Sequence, residues 1–477
     1  MPVGPDERIL AAMTLADFRP SSIQGLATRN LLGRVLGEVV RPTDATYDTA
    51  RQVWNAAFDR YPALIVRAAD AADVLRAVEF TRDQQLPLAV RSGGHSFAGF
   101  GTVDGGVVID MSGMRGVSID PRRGTAWVQP GATTADLAPH ASRYGLALPT
   151  GDVNTVGLGG LTLGGGIGFL VRKHGLTIDH LQSIEMVTAD GRLVTASEHE
   201  NADLFWAVRG GGGNFGVVTA FEFRLAPVNM ILGGAMMLPA TSDVLEAYLD
   251  YSRAAPEELT TITMLMQAPP APFVPAELVG KPVLMPLVVF DGDLEAGQRA
   301  LEPLRALGPY VEMVQPMPYH AIYNLTADGA ARGKSFGRSG FFQSFDRAAI
   351  DAMIAGVQAA GGAGHTFLQF RPLGGAMARV ASTATAFAHR DAAYMLAVNA
   401  GWEDDAQEGE AKAWVRGVWN TLKPRAQGVY VNFLGDDGAA RIREAYPGAS
   451  YERLVAVKRQ YDPNNVFSLN QNINPGQ

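Results

Sequence analysis

Three glycine-dense stretches, Gly93 to Gly106, Gly157 to Gly168 and Gly210 to Gly216, constrain this 477-residue chain more than any other feature. Its 54 glycines stand well above the ~7% of average usage and are concentrated rather than spread. Branched apolar residues interrupt every run, which excludes collagen periodicity and simple low complexity. The stretches read as structured loops whose bare backbone N–H groups can come close to a ligand.

The pattern around the first loop is strand, helix, strand, glycine loop. Residues 63–67 form an apolar strand, and a helix opens at Asp70 with Val74, Leu75, Val78 and Phe80 on its inner face. A second strand over 86–91 runs straight into SGGHS, so the unit resembles a βαβ motif delivering a loop to a phosphate. Further on come a strand at 107–110, a hairpin through PRRG to 125–129, and a helix from Thr133 stopped by Gly145. Strands 181–187 and 192–195 pair across Asp190-Gly191. A helix over 201–208 and a strand over 217–225 close the region.

From about Pro227 the glycine loops give way to strand-like segments alternating with amphipathic helices. Strands are expected at 231–237, 260–266, 282–290, 366–370, 385–387 and 394–397, and helices from near Ser242, Leu294, Asp346 and Gln407. This predicts a second, α+β layer with helices on one side and one sheet face left for a ligand. The tail returns to turn chemistry at YDPNN after a helix over 451–460. A chain about three times the ~150 residues of one domain fits that division.

Composition removes several classes. Lys+Arg 40 against Asp+Glu 48 gives a net charge of −8, and no basic cluster is long enough to track a nucleic-acid backbone. The absence of cysteine excludes disulfides, thiolate zinc sites, iron–sulfur ligation and a cysteine nucleophile. The N-terminus has Asp6 and Glu7 where a signal peptide needs positive charge, and no apolar run approaches the ~20 residues of a membrane helix. A soluble, cytoplasmic protein without nucleic-acid or membrane partners is expected. The oligomeric state is not written in the sequence.

Gly211-x-Gly213-x-x-Gly216 matches the dinucleotide fingerprint as a string, but a helix precedes it and a strand follows, the reverse of the Rossmann order. No glycine run ends in a Walker Gly-Lys-Ser/Thr. Outside the glycine loops, His140, His174, His180, His199, His320, His365 and His389 lack metal-ligand spacing, so no metal site is expected. His95 is the one histidine inside a glycine loop. It reads either as a turn histidine bonding its neighbours or as a side chain that a planar ligand can reach.

Four motifs carry a resemblance: RSGGHSFAGFGTVDGGVVIDMSGM, TGDVNTVGLGGLTLGGGIGFLVRKHGLTIDHL, LFWAVRGGGGNFGVVT and YDPNNVFSLNQNINP. In this order they resemble the berberine-bridge-enzyme-like group of FAD-linked oxidases within the vanillyl-alcohol-oxidase superfamily. The resemblance covers most of residues 40–225 and 430–477. It implies a two-domain, PCMH-type FAD-binding α+β fold. Residues 1–225 and 430–477 form a discontinuous FAD-binding domain, and residues 226–429 an antiparallel-sheet substrate domain.

By the same resemblance, FAD is bonded covalently through His95. It is cradled by Arg91, Ser92, Gly93, Gly94, Ser96, Val156, Gly157, Gly160, Gly164, Gly165, Gly168, Gly216, Val218, Asn432 and Asn472. Many members add a cysteine link, which falls here at Val153, and their Gly-Gly-His reads Gly159-Gly160-Leu161. Both departures are similar to the mono-covalent, 6-hydroxy-D-nicotine-oxidase-like bacterial subgroup. The implied reaction is hydride transfer from a small organic substrate to flavin N5, with dioxygen as the electron acceptor. Val156, at the family's oxygen-gating position, fits an oxidase. The alternatives are a dehydrogenase passing electrons to a quinone or protein, and a non-redox flavin or ligand-binding protein.

A substrate O–H or N–H must lose its proton as the hydride leaves. Tyr430, expected to share a strand face with Asn432 in YVNF, is the first candidate, with Asn432, Arg371 or His389 expected to lower its pKa. A packed strand aromatic is the other reading of Tyr430. Gln369 and Arg371 alternate with Leu368 and Phe370, which puts both on one strand face as pocket lining, or Arg371 as an ion-pair partner. Asn399 sits near where some relatives place a carboxylate base, so it stands as a third catalytic candidate. His389 is a further substrate-side candidate, while Met264, Met266 and Met285 are expected in the core.

Overall fold

The computed structural model describes residue 28, residues 30–360 and residues 365–476. The N-terminal stretch containing Asp6 and Glu7 lies outside the described residues. Among those described, no helix is long and apolar enough to cross a membrane.

The βαβ unit forms as its sequence suggests. Leu64–Arg67, Val107–Asp110 and Leu88–Arg91 lie parallel, with Glu38–Val40 added antiparallel at one edge. The intervening helix Ala71–Asp83 is started by the Asp70 carboxylate, which accepts the Asp73 N–H, and buries Val74, Ala77 and Val78. A second, antiparallel sheet runs Val117–Asp120, Thr125–Val128, Val217–Arg224, Leu181–Val187, Leu193–Ser197.

The middle of the chain builds one seven-stranded antiparallel sheet. Its order is Val311–Pro318, Met230–Pro239, Pro282–Phe290, Leu259–Gln267, His365–Pro372, Tyr394–Trp402, Lys334–Phe342. Alternation decides its two faces. Leu232, Leu265, Leu284, Leu368, Phe370, Leu396 and Val398 point to one side, where Ser242–Ala254, Leu294–Arg305, Arg347–Gln358 and Glu408–Leu422 cover them. Those four helices begin where the sequence places them, and Thr241, Asp293 and Asp346 cap three of them through side-chain oxygens.

Three expectations change. Residues 385–387 are not a strand: they dock as irregular chain on the helix Ala202–Val208, with Ala386 N–H donating to the Trp206 carbonyl and Phe387 N–H to that of Arg209. Val311–Pro318 and Lys334–Phe342, the two edge strands, escaped the pattern because an edge exposes enough polar and small residues to blur the alternation. The sheet face expected to be free is largely covered, since Phe169 and Leu170 pack on Ile262, Leu287 and Val289, while Ile167 and Val171 cluster with Phe341 and Met395.

Polar clasps fix the sheet over the glycine-rich half. Arg390 makes a two-pronged pair with Asp179, both contacts 2.8 Å, and Arg172 donates to the Leu373 and Ala255 carbonyls at 2.6 and 2.7 Å. At the other end the Asn55 amide donates to the Ser335 carbonyl and Trp54 Nε1 to that of Gly329, both at 3.0 Å.

The tail closes the glycine-rich half. On the helix Ala449–Tyr461, Lys458 is fully buried and its Nζ donates to Asp462, Asn214 O and Phe467 O within 2.9 Å. Asp462 of YDPNN also accepts the N–H groups of Val466 and Phe467. The third glycine stretch, expected to serve a ligand, is thus held largely by the chain's own tail: Asn214 also bonds Gln471 O and Ile473 N.

Candidate active site

The strand Leu88–Arg91 delivers the loop that carries His95. Arg91 anchors the strand's end, its Nη2 donating to Asp110 at 2.9 Å and to the Ala50 carbonyl at 2.6 Å. Gly94 turns the chain at φ +72°, a conformation that favours glycine. Among the described residues, no acceptor meets the backbone N–H groups of Gly94, His95, Ser96 and Phe97. Consecutive free N–H groups of this kind are a donor set for phosphate oxygens. Gly94, the first of them, lines a cleft of about 310 Å³ together with Trp54, Ser92, Gly93, Thr133 and Thr155, with Arg67, Arg91 and Arg115 at its walls. The residues present therefore fit a pyrophosphate-bearing cofactor.

His95 is held by its neighbours on both sides. Its ring stacks on Trp54 at 5.3 Å and 22°, and its Nε2 lies 3.1 Å from Thr155 Oγ1, while Nδ1 has no partner among the described residues. Burial pushes its pKa down to about 4, so the imidazole is neutral over the physiological range.

Most of the expected cofactor glycines stand where the chain's own packing leaves no room for a Cβ. A Cβ on Gly93 would stand 2.4 Å from the Gly157 nitrogen, and one on Gly157 would meet Gly93 at 2.2 Å, so the first two glycine loops interlock. A Cβ on Gly164 would meet Asn432 Oδ1 at 2.1 Å, one on Gly168 the Thr150 carbonyl at 1.8 Å and one on Gly216 that of Val187 at 2.6 Å, while one on Gly165 (φ +136°) would meet Phe387 and Tyr430. At Gly160 a Cβ would meet nothing within 4 Å. Ser92 donates to the Pro130 carbonyl at 2.5 Å, and Ser96 Oγ accepts from Phe100 N–H at 3.3 Å. Val156 is half-buried, the Val218 side chain belongs to the core, and Asn472 Oδ1 is buried without a protein donor among the described residues.

On the opposite wall the sheet contributes Gln369, Arg371 and Asn399, all on the face turned from the helices. Arg371 Nη2 donates to Asp152 Oδ2 at 2.9 Å and to Gln369 Oε1 at 2.7 Å, and its Cζ lies 5.0 Å over the Phe433 ring. Asn399, 8% exposed, stands opposite Gly337 and Phe367 in the sheet. Met285 is buried as expected, whereas Met264 and Met266 stay half-buried on this face.

Tyr430 does not lie on a strand. It precedes a single 3₁₀ turn, Val431–Phe433, and that turn brings Asn432 beside it. Its hydroxyl accepts from Gly166 N–H at 2.8 Å and from Asn432 Nδ2 at 3.0 Å. Burial raises its pKa above 10, against the opposing pull of Gly166, Asn432 and Arg371, so the expected net depression is not found. His389 takes no part: its Nε2 meets the Glu444 carbonyl at 2.9 Å, and its ring packs on Phe341 and against Gly428.

Sequence reasoning passed over Trp54, Asp152, Thr155 and Phe433. Asp152 and Thr155 lie in TGDVNTVG, where a polar residue beside a glycine loop was the available signal. Trp54 and Phe433 come from segments far from His95 in sequence, and the fold alone brings them together. Among the described residues no cluster of three metal-ligating side chains forms.

Known proteins bear directly on this arrangement. Residues 62–197 match a family model described as FAD binding domain, and residues 429–474 one described as berberine and berberine like. (R)-6-hydroxynicotine oxidase of Paenarthrobacter nicotinovorans is 32% identical over 461 residues, 92% of this chain and 97% of that one. An FAD-linked oxidoreductase of Bacillus subtilis is 32% identical over 451 residues, 93% and 98% of the two chains. The crystal structure of 6-hydroxy-D-nicotine oxidase from Arthrobacter nicotinovorans superposes with a TM-score of 0.84 at 29% identity, over 93% of this chain and 98% of that one. A xylooligosaccharide oxidase of Myceliophthora thermophila in complex with xylobiose gives 0.83 at 25% identity, over 94% and 99%.

Proposed function

This chain belongs to the berberine-bridge-enzyme-like family of FAD-linked oxidoreductases, and from that premise we propose that it is an oxidase using FAD attached through His95 alone. Its fold is the PCMH-type, vanillyl-alcohol-oxidase-like one. FAD supplies a two-electron acceptor for a substrate C–H bond, and dioxygen takes the electrons onward to hydrogen peroxide. The substrate is a small organic molecule: an alcohol, an amine or a natural-product intermediate.

His95 carries the reading. A neutral imidazole with one nitrogen engaged by Thr155 and the other unpartnered is a nucleophile in a fixed orientation. The chain has no cysteine, so a second, thioether link has no residue to form it. The free N–H groups from Gly94 to Phe97 and the cleft beside them would hold the pyrophosphate, while Gly160 offers close backbone approach.

The substrate proton is handled at Tyr430 Oη. Two positions around that oxygen accept N–H groups, so the third carries the proton in the phenol and is the acceptor in the phenolate. Arg371, Gln369 and Asn399 line the sheet face across from it.

Peptide mapping of the purified yellow protein is expected to find one flavin-bearing peptide, containing His95. Anaerobic substrate should bleach the flavin, and air should restore the colour with release of hydrogen peroxide. A flavin that washes out on acid precipitation ends the covalent reading. Slow recovery in air with fast turnover on an artificial quinone establishes a dehydrogenase instead.

A further inference from the structure

Arg371 is ion-paired with Asp152 yet leaves two of its donors unpartnered among the described residues. Its side chain is 4% exposed, yet Nε and Nη1 are buried without any acceptor, because Asp152 and Gln369 both use Nη2. A buried donor without a partner is costly, and more so on a charged group. The guanidinium cannot swing away to find water. Phe433 lies against it and Asp152 holds one end.

We propose that Arg371 is the anchor for an oxygen anion on the substrate, a carboxylate or an enolate, so that the enzyme's substrate class is acidic and not a cationic amine. This rests on the reading of the sheet face as the substrate wall. Asp152 balances the guanidinium's charge through Nη2, but Nε and Nη1 are donors only and accept nothing, so an ammonium group brought beside them would meet a second set of donors. An anionic oxygen meets charge-assisted hydrogen bonds in a site shielded from water, where they are strongest. Tyr430 and Phe433 stack at 5.7 Å and the guanidinium lies over the same Phe433 ring, which brings the anchor and the proton-handling residue to one aromatic pair.

The test uses the FAD-loaded holoenzyme and three probes of one shape: benzoate, benzamide and benzylamine, with binding read by calorimetry and by perturbation of the flavin spectrum. Benzoate is expected to bind at least tenfold more tightly than either of the others. In Arg371→Met that preference should vanish, while acid-stable flavin content stays at the wild-type level. Equal or tighter binding of benzamide or benzylamine by the wild type overturns the proposal, as does a lack of saturable benzoate binding. A preference for benzoate that survives in Arg371→Met overturns it too. Should that variant fail to fold, the wild-type comparison decides alone. None of these readouts requires turnover, so a failure of the oxidase reading, seen as absent peroxide, is scored separately.

Discussion

The two walls of the site are made of different materials. On the cofactor side, backbone meets backbone: Gly93 interlocks with Gly157, Gly168 fits against the Thr150 carbonyl, and the N–H groups from Gly94 to Phe97 stand without an acceptor among the described residues. On the sheet side the backbone is consumed by the ladder, and side chains such as Gln369, Arg371 and Asn399 do the facing. A wall of backbone contacts binds one shape and admits few substitutions, because no rotamer can absorb an added atom. A wall of side chains on a rigid ladder is rewritten one residue at a time without disturbing the fold. On the proposed reading, the cofactor wall would fix which cofactor is held, and the sheet wall which substrate is taken.

The sharpest attempt to break this division is Tyr430→Phe. Removing one oxygen keeps the ring packed, so FAD content should be unchanged while flavin reduction slows by about 10²–10⁴. Stopped-flow reduction near the wild-type rate would make Tyr430 a packing residue and send the search to Asn399. The converse change is Gly168→Ala, where an added methyl meets a carbonyl 1.8 Å away. It should destabilise the fold by about 3 kcal/mol, the upper end of overpacking costs. Thermal or urea unfolding measures the loss, and the surviving folded fraction should still be reduced at the normal rate.

A pH series probes the same division with less force. Because burial holds the Tyr430 pKa above 10, the acceptor form grows as pH rises, and the reductive rate should climb by about tenfold per pH unit below that value. A plateau near neutral pH would assign the proton to another group. The smallest expected effect is Gly160→Ala. Its Cβ meets nothing, so stability should change by no more than about 0.5 kcal/mol, and any deficit should appear as lower FAD occupancy. A large loss of stability there would show that this glycine, too, serves packing.

The parts that could be read from sequence alone were those with local causes. Asp70 before an apolar stripe and the continuous apolar run through 282–290 each specify an element within a few residues. The motif around His95 carried the cofactor assignment in the same way. What stayed hidden was set at long range. Residues 385–387 look like a strand until the helix Ala202–Val208 claims their N–H groups. YVNF looks like one until Gly164, with no Cβ, lets Asn432 in against the helix Leu158–Gly164. The glycines themselves misled in one respect, since glycine density signals close approach without saying whether the neighbour is a ligand or another loop.

The buried Lys458 and the Tyr430–Asn432 turn also impose an order in time. Residues 430–473 supply the pins that lock the loop Gly210–Gly216 and the helix Leu158–Gly164, both encoded more than 200 residues earlier. A nascent chain that has emerged only through the seven-stranded sheet has every strand it needs but an unfinished cofactor cradle. The last pins of the glycine-rich half thus belong to the interval after residues 430–473 have emerged, when every strand of the large sheet is already made.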